Sequence, residues 1–510
     1  MARINISSNS FKSRKNNLRK IIKLDQNPCF YETSKYVFAF AQIFAVMPLT
    51  GLWTKSHDLN GLKFKWMSFN TIYSIFCIIS IGAMCVIAAS STVAQYGLKI
   101  GKISPLVFYV VNWFSLIQFL FLAVKWPSIM LYWKKVENNL PKCKKRAFIG
   151  HSIKFFAIFV ICFSFVEHSM SIFSNLINVL HCPQEHSITE AFFRSHMGFI
   201  FNIIDYNLFL ALFSKWMNII STFTWSFMDL FIIMIALGLS NMFRRLNDFI
   251  FRQDYTLMDE DFWAEQRRSY RKICDLISEV DNATSTITLI SFTNNLFFIC
   301  LQLLNSLIFF PLNSSQMPRM YEIYFWFSLS FLITRTCLII ITCSFINEES
   351  RKPLLIFRKI PSTKWCLEVK RFFTEIATSN IGLTGKRYFR VTRGLLLSIT
   401  GTIITYELIL FNFNQDEDQK IEDCVWQSAV GTIWSGNETS PNVTSSSTVE
   451  ITPTVMTTSY RTSASGTFGS SPTGTEIKGE DILTRINERL TALHVLDEQQ
   501  LKRLESLEYK

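Results

Sequence analysis

Apolar residues arrive in this chain in blocks long enough to cross a lipid bilayer, and that limits the fold more than any other feature. A run of about 20 such residues spans the hydrocarbon core as one helix and satisfies its own backbone hydrogen bonds there. Eight apolar segments stand out: Tyr36–Leu52, Phe69–Gly97, Ile103–Val124, Phe148–Leu180, Met197–Met242, Ala283–Pro311, Tyr321–Ile346 and Arg393–Phe413. The first is short and holds "MPLTG", with a proline and a glycine, so it reads as a re-entrant or interfacial helix. Seven spans remain. Charged residues make up only 18% of the 510, and the hydrophobic 49% is gathered into these blocks, a distribution that an ordinary soluble domain does not show. The expected fold is an all-α membrane protein with seven transmembrane helices and a short re-entrant helix before them.

Basic loops set the orientation. "KWPSIMLYWKKVENNLPKCKKR" from Lys125 follows the second span, "RRLNDFIF" from Arg244 the fourth and "ESRKPLLIFRK" from Glu349 the sixth. The alternate loops, "QYGLKIGK", "HCPQEHSITEAFFRSH" and "PLNSSQMPRM", are poor in Lys and Arg. Cytoplasmic loops retain the positive charge, so the N-terminus is expected inside and the C-terminus outside. The net charge of +12 is then a loop property and does not call for a nucleic acid partner. Sequons at Asn313, Asn437 and Asn442 fall outside in this scheme, while Asn5 and Asn282 fall inside. The N-terminal "MARINISSNSFKSRKNNLRKIIK" has no apolar signal core and reads as cytoplasmic. This orientation is opposite to that of a G-protein-coupled receptor, and neither "DRY" after the third span nor "NPxxY" in the last is present. The 12 cysteines lack metal spacing and read as free thiols, with an outer Cys182–Cys424 bridge left open.

Beyond Phe413 the composition changes. An acidic "NQDEDQKIED" leads into a Ser/Thr-rich tract from Ser435 to Thr475, which is expected to be disordered. Ile482, Ile486, Leu490, Leu493, Leu496 and Leu504 then sit near helical spacing, as in a terminal amphipathic helix. An appended segment without a part in function is the competing reading.

Polar side chains inside spans are costly unless paired, and so mark candidate sites. The outer halves hold Asn112, Trp113, Glu167, His168, Asp205, Asn207, Gln302, Asn305, Tyr324 and Trp326. Aromatic faces with carboxylates and amides suit a carbohydrate: the rings take the C–H side of a sugar and the acceptors its hydroxyls. Bland readings stand beside this one. Trp113 and Trp326 also fit an interfacial belt, and amides also join helices. Asp229 and Arg335 lie deeper, where an ion pair is the simpler assignment. No "GxSxG", "HExxH", phosphate loop or Cys/His metal spacing appears, so neither an enzyme nor a cofactor is expected.

The last apolar run ends in "TYELILFNF", Thr405–Phe413. This resembles the TYhhhhhQF signature (h, hydrophobic) of insect gustatory receptors. "GTIITYEL", "TFTWSFMDLFI", "NNLFFICLQLLN", "YFWFSLSFLITRT" and "INEESRKPL" resemble the sugar-receptor branch of that family, in the same order, from Tyr36 to Phe413. The resemblance implies the insect odorant/gustatory receptor channel fold: a homo- or hetero-tetrameric, ligand-gated, non-selective cation channel in the plasma membrane of gustatory neurons, reaching the dendrite. It divides the chain into a cytoplasmic segment 1–35, a six-span bundle with the sugar pocket 36–364, a cytoplasmic anchor helix 365–392, a pore helix 393–413 and an extracellular tail 414–510. Gly401, Thr405, Leu408 and Asn412 share one helical face by spacing, and the resemblance makes that face pore-lining. Leu408 would be an apolar constriction and Asn412, where the signature has Gln, a polar ring. Tyr406 and Glu407, with Arg335 and Asp229, would couple ligand to pore. A G-protein-coupled type of chemoreceptor, or a channel of this family tuned to a non-sugar tastant, remains the alternative.

Overall fold

In the computed structural model the described residues are 30–53, 59–95, 103–141, 147–181, 187–255, 257–313 and 319–414. Most of the expected cytoplasmic start, and the acidic, Ser/Thr-rich and terminal-helix parts of the tail, lie outside them. The main helices are α1 (Phe30–Ala41), α2 (Phe69–Gln95), α3 (Ser104–Asn139), α4 (Ala147–His181), α5 (Ile188–His196), α6 (Leu208–Ile250), α7 (Glu260–Asn313), α8 (Arg319–Arg351), α9 (Leu367–Thr378) and α10 (Arg393–Asn414). Among the described residues, six helices (α2, α3, α4, α6, α7 and α8) are long and apolar enough to cross a membrane. Helix α10 adds 22 residues, about 33 Å at 1.5 Å per residue.

Helix α6 is the axis of the bundle. It packs against α3, α4, α7 and, most extensively, α8. Its apolar run is buried on nearly all sides, as a helix without a polar face must be. Gly238 makes room for two rings: a Cβ there would stand 2.6 Å from the Trp133 ring of α3 and 2.8 Å from Phe30 of α1. Those two rings stack at 4.3 Å.

The first apolar segment folds back on itself. Helix α1 has 12 residues, about 18 Å, which is short of the roughly 30 Å core. It starts at Phe30, ahead of the expected Tyr36, and buries Phe30, Val37, Phe38 and Ala41 on one stripe. The chain then reverses with left-handed backbone at Ala45 (φ 63°), Met47 (φ 54°) and Gly51 (φ 86°). The Gln42 amide holds the reversal by donating to the Leu49 carbonyl at 2.6 Å, and Asn70 of α2 donates to Gln42 at 3.0 Å.

Two expectations are corrected. Met197–Met242 is not one span: a short turn at Gly198–Phe201 and an irregular stretch precede α6. The Asn207 side chain accepts from the amides of Phe209 (2.8 Å) and Leu210 (3.4 Å), so it caps α6. The stretch 365–392 is not one helix either. Helix α9 ends at Thr378, and a hairpin of β1 (Thr384–Gly385) and β2 (Phe389–Arg390) follows, pairing Thr384 with Arg390 and Gly385 with Phe389.

Helix α7 has 54 residues, about 81 Å, so it extends far past a bilayer. Helix α9 packs on its N-terminal part. Arg267 pairs with Glu368 at 2.7 Å and Arg271 with Glu375 at 2.6 Å, while Phe372 packs on Tyr270 and Phe357.

Candidate functional site

Four helices converge on a cavity in the half of the bundle near the α4–α5 and α7–α8 turns. Its lining is Glu167, His168 and Ser171 of α4, His196 of α5, Asn218 and Thr222 of α6, and Tyr324 of α8. Its free volume is ≈ 10 Å³, room for roughly one water-sized sphere. Ser328 donates to Glu167 Oε1 at 2.6 Å and itself accepts from the Gln302 amide at 3.3 Å, which joins α4, α8 and α7. Across the cavity, Lys215 Nζ lies 2.8 Å from His196 Nε2. When Lys215 is protonated it has only donors, so the imidazole then accepts through Nε2. Burial, then the charge of Lys215, then His168, hold the His196 pKa well below its usual value.

Two buried polar atoms around this centre have no hydrogen-bond partner among the described residues: His168 Nε2 and Gln302 Oε1. The Tyr324 hydroxyl faces Ser171 and Ser328 without a well-formed hydrogen bond. An unpaired buried polar group costs about 1–3 kcal/mol. These groups are therefore poised to gain from a polyhydroxyl ligand that supplies donors and acceptors together.

A second polar network lies deeper. Asp229 of α6 pairs with Arg335 of α8 at 3.1 Å, and accepts from Ser291 at 2.6 Å and from the Asn295 amide at 3.2 Å. Trp225 Nε1 donates to Asn295 at 2.7 Å. Arg335 donates to Ser226 at 2.7 Å and lies about 5 Å from the rings of Trp225 and Phe331.

The structure gathers some of the sequence candidates and disperses others. Glu167, His168 and Tyr324 line the cavity, and Gln302 reaches it through Ser328. Asn305 is buried on α7, one turn beyond Gln302, and does not line it. Asn112 is buried but donates to the Phe108 carbonyl of its own helix at 2.7 Å. Trp113 packs against Gly82 of α2, away from the cavity. Asp205 is exposed in the stretch before α6, where Asn207 is the cap. Trp326 is half-exposed on the outside of α8. Sequence reasoning missed Ser171, His196, Asn218, Thr222 and Ser328. For His196 a signal was present: Ser187 and Glu190 are spaced as a capping box, and Ser187 accepts from the Glu190 amide at 3.3 Å.

Helix α10 has two unlike faces. Leu395, Leu396, Ile399 and Ile403 pack on the bundle. Gly394, Ser398, Gly401 and Thr405 are exposed on the other side, as are Leu397 and Ile404 beside them, and nothing stands within 4 Å of a Cβ built on Gly401. Tyr406 is also exposed. The side chains of Glu407, Leu408 and Asn412 lie outside the described residues. At the start of the helix, Arg393 pairs with Glu348 of α8 at 2.5 Å.

Known proteins resemble this chain in sequence and in fold. A family model described as "Trehalose receptor" matches residues 10–424. The Drosophila melanogaster protein "Gustatory receptor for sugar taste 64f" is 36% identical over 429 residues, 80% of this chain and 87% of the relative. "Gustatory receptor 5a for trehalose", from the same fly, is 37% identical over 398 residues, 78% of this chain and 87% of the relative. In three dimensions the chain resembles the insect olfactory receptor OR5 from Machilis hrabei, with a TM-score of 0.53 at 16% identity, covering 78% of this chain and 99% of the receptor. The eugenol complex of that receptor matches with a TM-score of 0.52, covering 74% and 97%.

Proposed function

Since this chain belongs to the insect gustatory receptor family, in the group described by the trehalose-receptor model, we propose that it is a sugar receptor acting as a ligand-gated, non-selective cation channel. The relatives are named for sugar taste and for trehalose. The observation that carries the reading is the cavity, where Glu167, His168, Tyr324 and Gln302 bring hydroxyl-binding groups from three helices around unpaired polar atoms.

At ≈ 10 Å³ the cavity is far below the roughly 300–1,000 Å³ of occupied ligand sites. The sugar must therefore bind an expanded conformation. A ligand that favours the expanded state over the compact one shifts the population toward it. The route to the pore is α8, which carries Tyr324 and Ser328 at one end, Arg335 midway and Glu348, the partner of Arg393, at the other.

In this reading the chain has seven spans and a re-entrant α1, with the N-terminus inside and the C-terminus outside. Four subunits, alike or mixed, place the exposed face of α10 around a central cation path at the plasma membrane of taste neurons and their dendrites. Gly401, Thr405, Leu408 and Asn412 line it, with Leu408 as constriction. Tyr406, Glu407, Arg335 and Asp229 couple sugar to opening. Residues 365–392 form the cytoplasmic anchor.

The deciding experiment is current recording from cells expressing this chain alone, against a panel of mono- and disaccharides. Sugar-evoked cation current supports the reading. In parallel, an epitope at Lys510 should stain intact cells. Staining only after permeabilisation, with no sugar current, would move the chain to a receptor of the G-protein-coupled orientation.

A further inference from the structure

The β1–β2 hairpin carries an unexpected pair of residues at its tip. Tyr388 N–H donates to the Gly385 carbonyl at 3.0 Å, so Lys386 and Arg387 are the central residues of a β-turn inside the three-residue loop that joins Gly385 to Phe389. Both have positive φ, 51° and 64°. Positive φ at both central residues is the requirement of a type I′ turn, which strongly favours Asn-Gly because a side chain on the left-handed backbone meets the following carbonyl. Elsewhere in the fold, Ala45 and Met47 hold positive φ where packing buries them. Lys386 and Arg387 are exposed, so packing does not account for them. Neither forms a carboxylate ion pair among the described residues; Arg387 donates through Nη2 to the Asn282 amide oxygen at 3.4 Å and through its backbone amide to the Thr384 hydroxyl at 3.3 Å. Tyr388, next in the chain, is 83% exposed.

The place of the hairpin is fixed by α7. Thr384 donates to the Asp281 carboxylate twice, through its amide at 2.6 Å and its hydroxyl at 2.7 Å. Phe389 packs edge-on against Phe292 at 5.4 Å. Asp281 stands two residues before Ala283, where the apolar run of α7 begins. The base of the hairpin therefore sits at the edge of the hydrocarbon layer, and its tip bears two cations and an aromatic ring at headgroup level, where such residues anchor. Three residues after the hairpin, α10 starts at Arg393.

We propose that Lys386, Arg387 and Tyr388 dock the phosphate-bearing headgroup of an anionic phospholipid at the inner membrane surface, at the foot of the pore helix. The exposed, strained Lys-Arg pair presents two adjacent cations toward the headgroup. The assignment rests on the proposed orientation, which makes this surface the leaflet rich in anionic lipid.

The test uses the full chain in detergent with short-chain phosphatidylserine, short-chain phosphatidylcholine or inorganic phosphate, with bound ligand counted by native mass spectrometry. The informative variant is K386N/R387G. It removes both charges and installs the residues this turn favours, so the hairpin is kept and the melting temperature should hold or rise. Phosphatidylserine should bind the parent in preference to phosphatidylcholine, and bind the variant about thirtyfold more weakly. Undiminished binding to the variant, equal binding of phosphatidylcholine, or phosphate binding as tightly as the lipid would each overturn the proposal. No sugar and no current enter this readout, so its failure is separate from any failure of the sugar-channel reading.

Discussion

Arg335 of α8 and Asp229 of α6 meet at 3.1 Å with side chains 3% and 0% exposed, which makes them the most deeply buried ion pair among the described residues. Ser291 and Asn295 donate to Asp229, and Arg335 donates to Ser226. Breaking one side of such a pair strands the other charge and costs about 3–5 kcal/mol. Arg335→Met should therefore lower thermal stability and surface yield sharply. Asp229→Asn/Arg335→Met, which removes both charges, should recover part of the loss. A single variant as stable as the parent in detergent melting would deny the pair this role.

Glu167 is the one carboxylate of the cavity. If it accepts sugar hydroxyls, Glu167→Ala removes hydrogen bonds to a charged group, about 1.5–3 kcal/mol. The half-activating sugar concentration should rise roughly ten- to a hundredfold with surface expression retained. An unchanged dose–response curve from a well-expressed variant would remove Glu167 from the sugar contact.

Acidification should weaken the fold through His196. Its pKa is held well below 6.5 in the folded state, chiefly by burial and then by Lys215 and His168. The unfolded state therefore takes up the proton first. The stability tied to the neutral ring is complete above about pH 6.5 and falls below it, by up to about 1.4 kcal/mol per pH unit. The melting temperature of the solubilised protein should drop from pH 7 to pH 5, and less so for His196→Gln. Parallel profiles for the two proteins would exclude His196 as the source.

Much of this was legible in the sequence because a bilayer tolerates few structures. The apolar parts of α2, α3, α4, α7, α8 and α10 followed from apolar runs, although α3 continues from Val124 to Asn139 and α7 starts at Glu260, well before Ala283; Asp229 and Arg335 were conspicuous as charges at depth. Other features were hidden for particular physical reasons. Helix α6 begins only at Leu208 because Asn207 turns its side chain onto two free amides, a local hydrogen bond that a hydropathy pattern does not register. His196 sat in a stretch read as an outer loop, yet its short helix turns inward and buries it against Lys215. Trp113 and Trp326 satisfied the composition of a sugar site but face away from it. Depth can be read from sequence far better than azimuth, since helix rotation is set by partners distant in the chain.

The two faces of α10 give the final prediction. Leu395, Leu396, Ile399 and Ile403 are covered by the bundle, while Ser398, Gly401 and Thr405 follow one another at spacings of three and four on the uncovered side. A helix meeting only lipid gains nothing from Ser, Gly and Thr there, because an unsatisfied hydroxyl in hydrocarbon is a cost. Thr405 limits that cost by donating back to the Gly401 carbonyl at 2.9 Å, and water in a conduction path would remove it. Cysteines at Ser398, Gly401 and Thr405 should then react with charged thiol reagents and block sugar-evoked current, faster when sugar is present. Gly401→Cys is the cleanest, since nothing stands within 4 Å of the added Cβ. Cysteines at Ile399 and Ile403 should be protected. Farther along the same stripe, Leu408→Ala should raise current without sugar, because a smaller apolar ring wets more readily. Equal reactivity on both faces, together with a tight Leu408→Ala channel, would make the polar stripe a seam between packed helices rather than the wall of a pore.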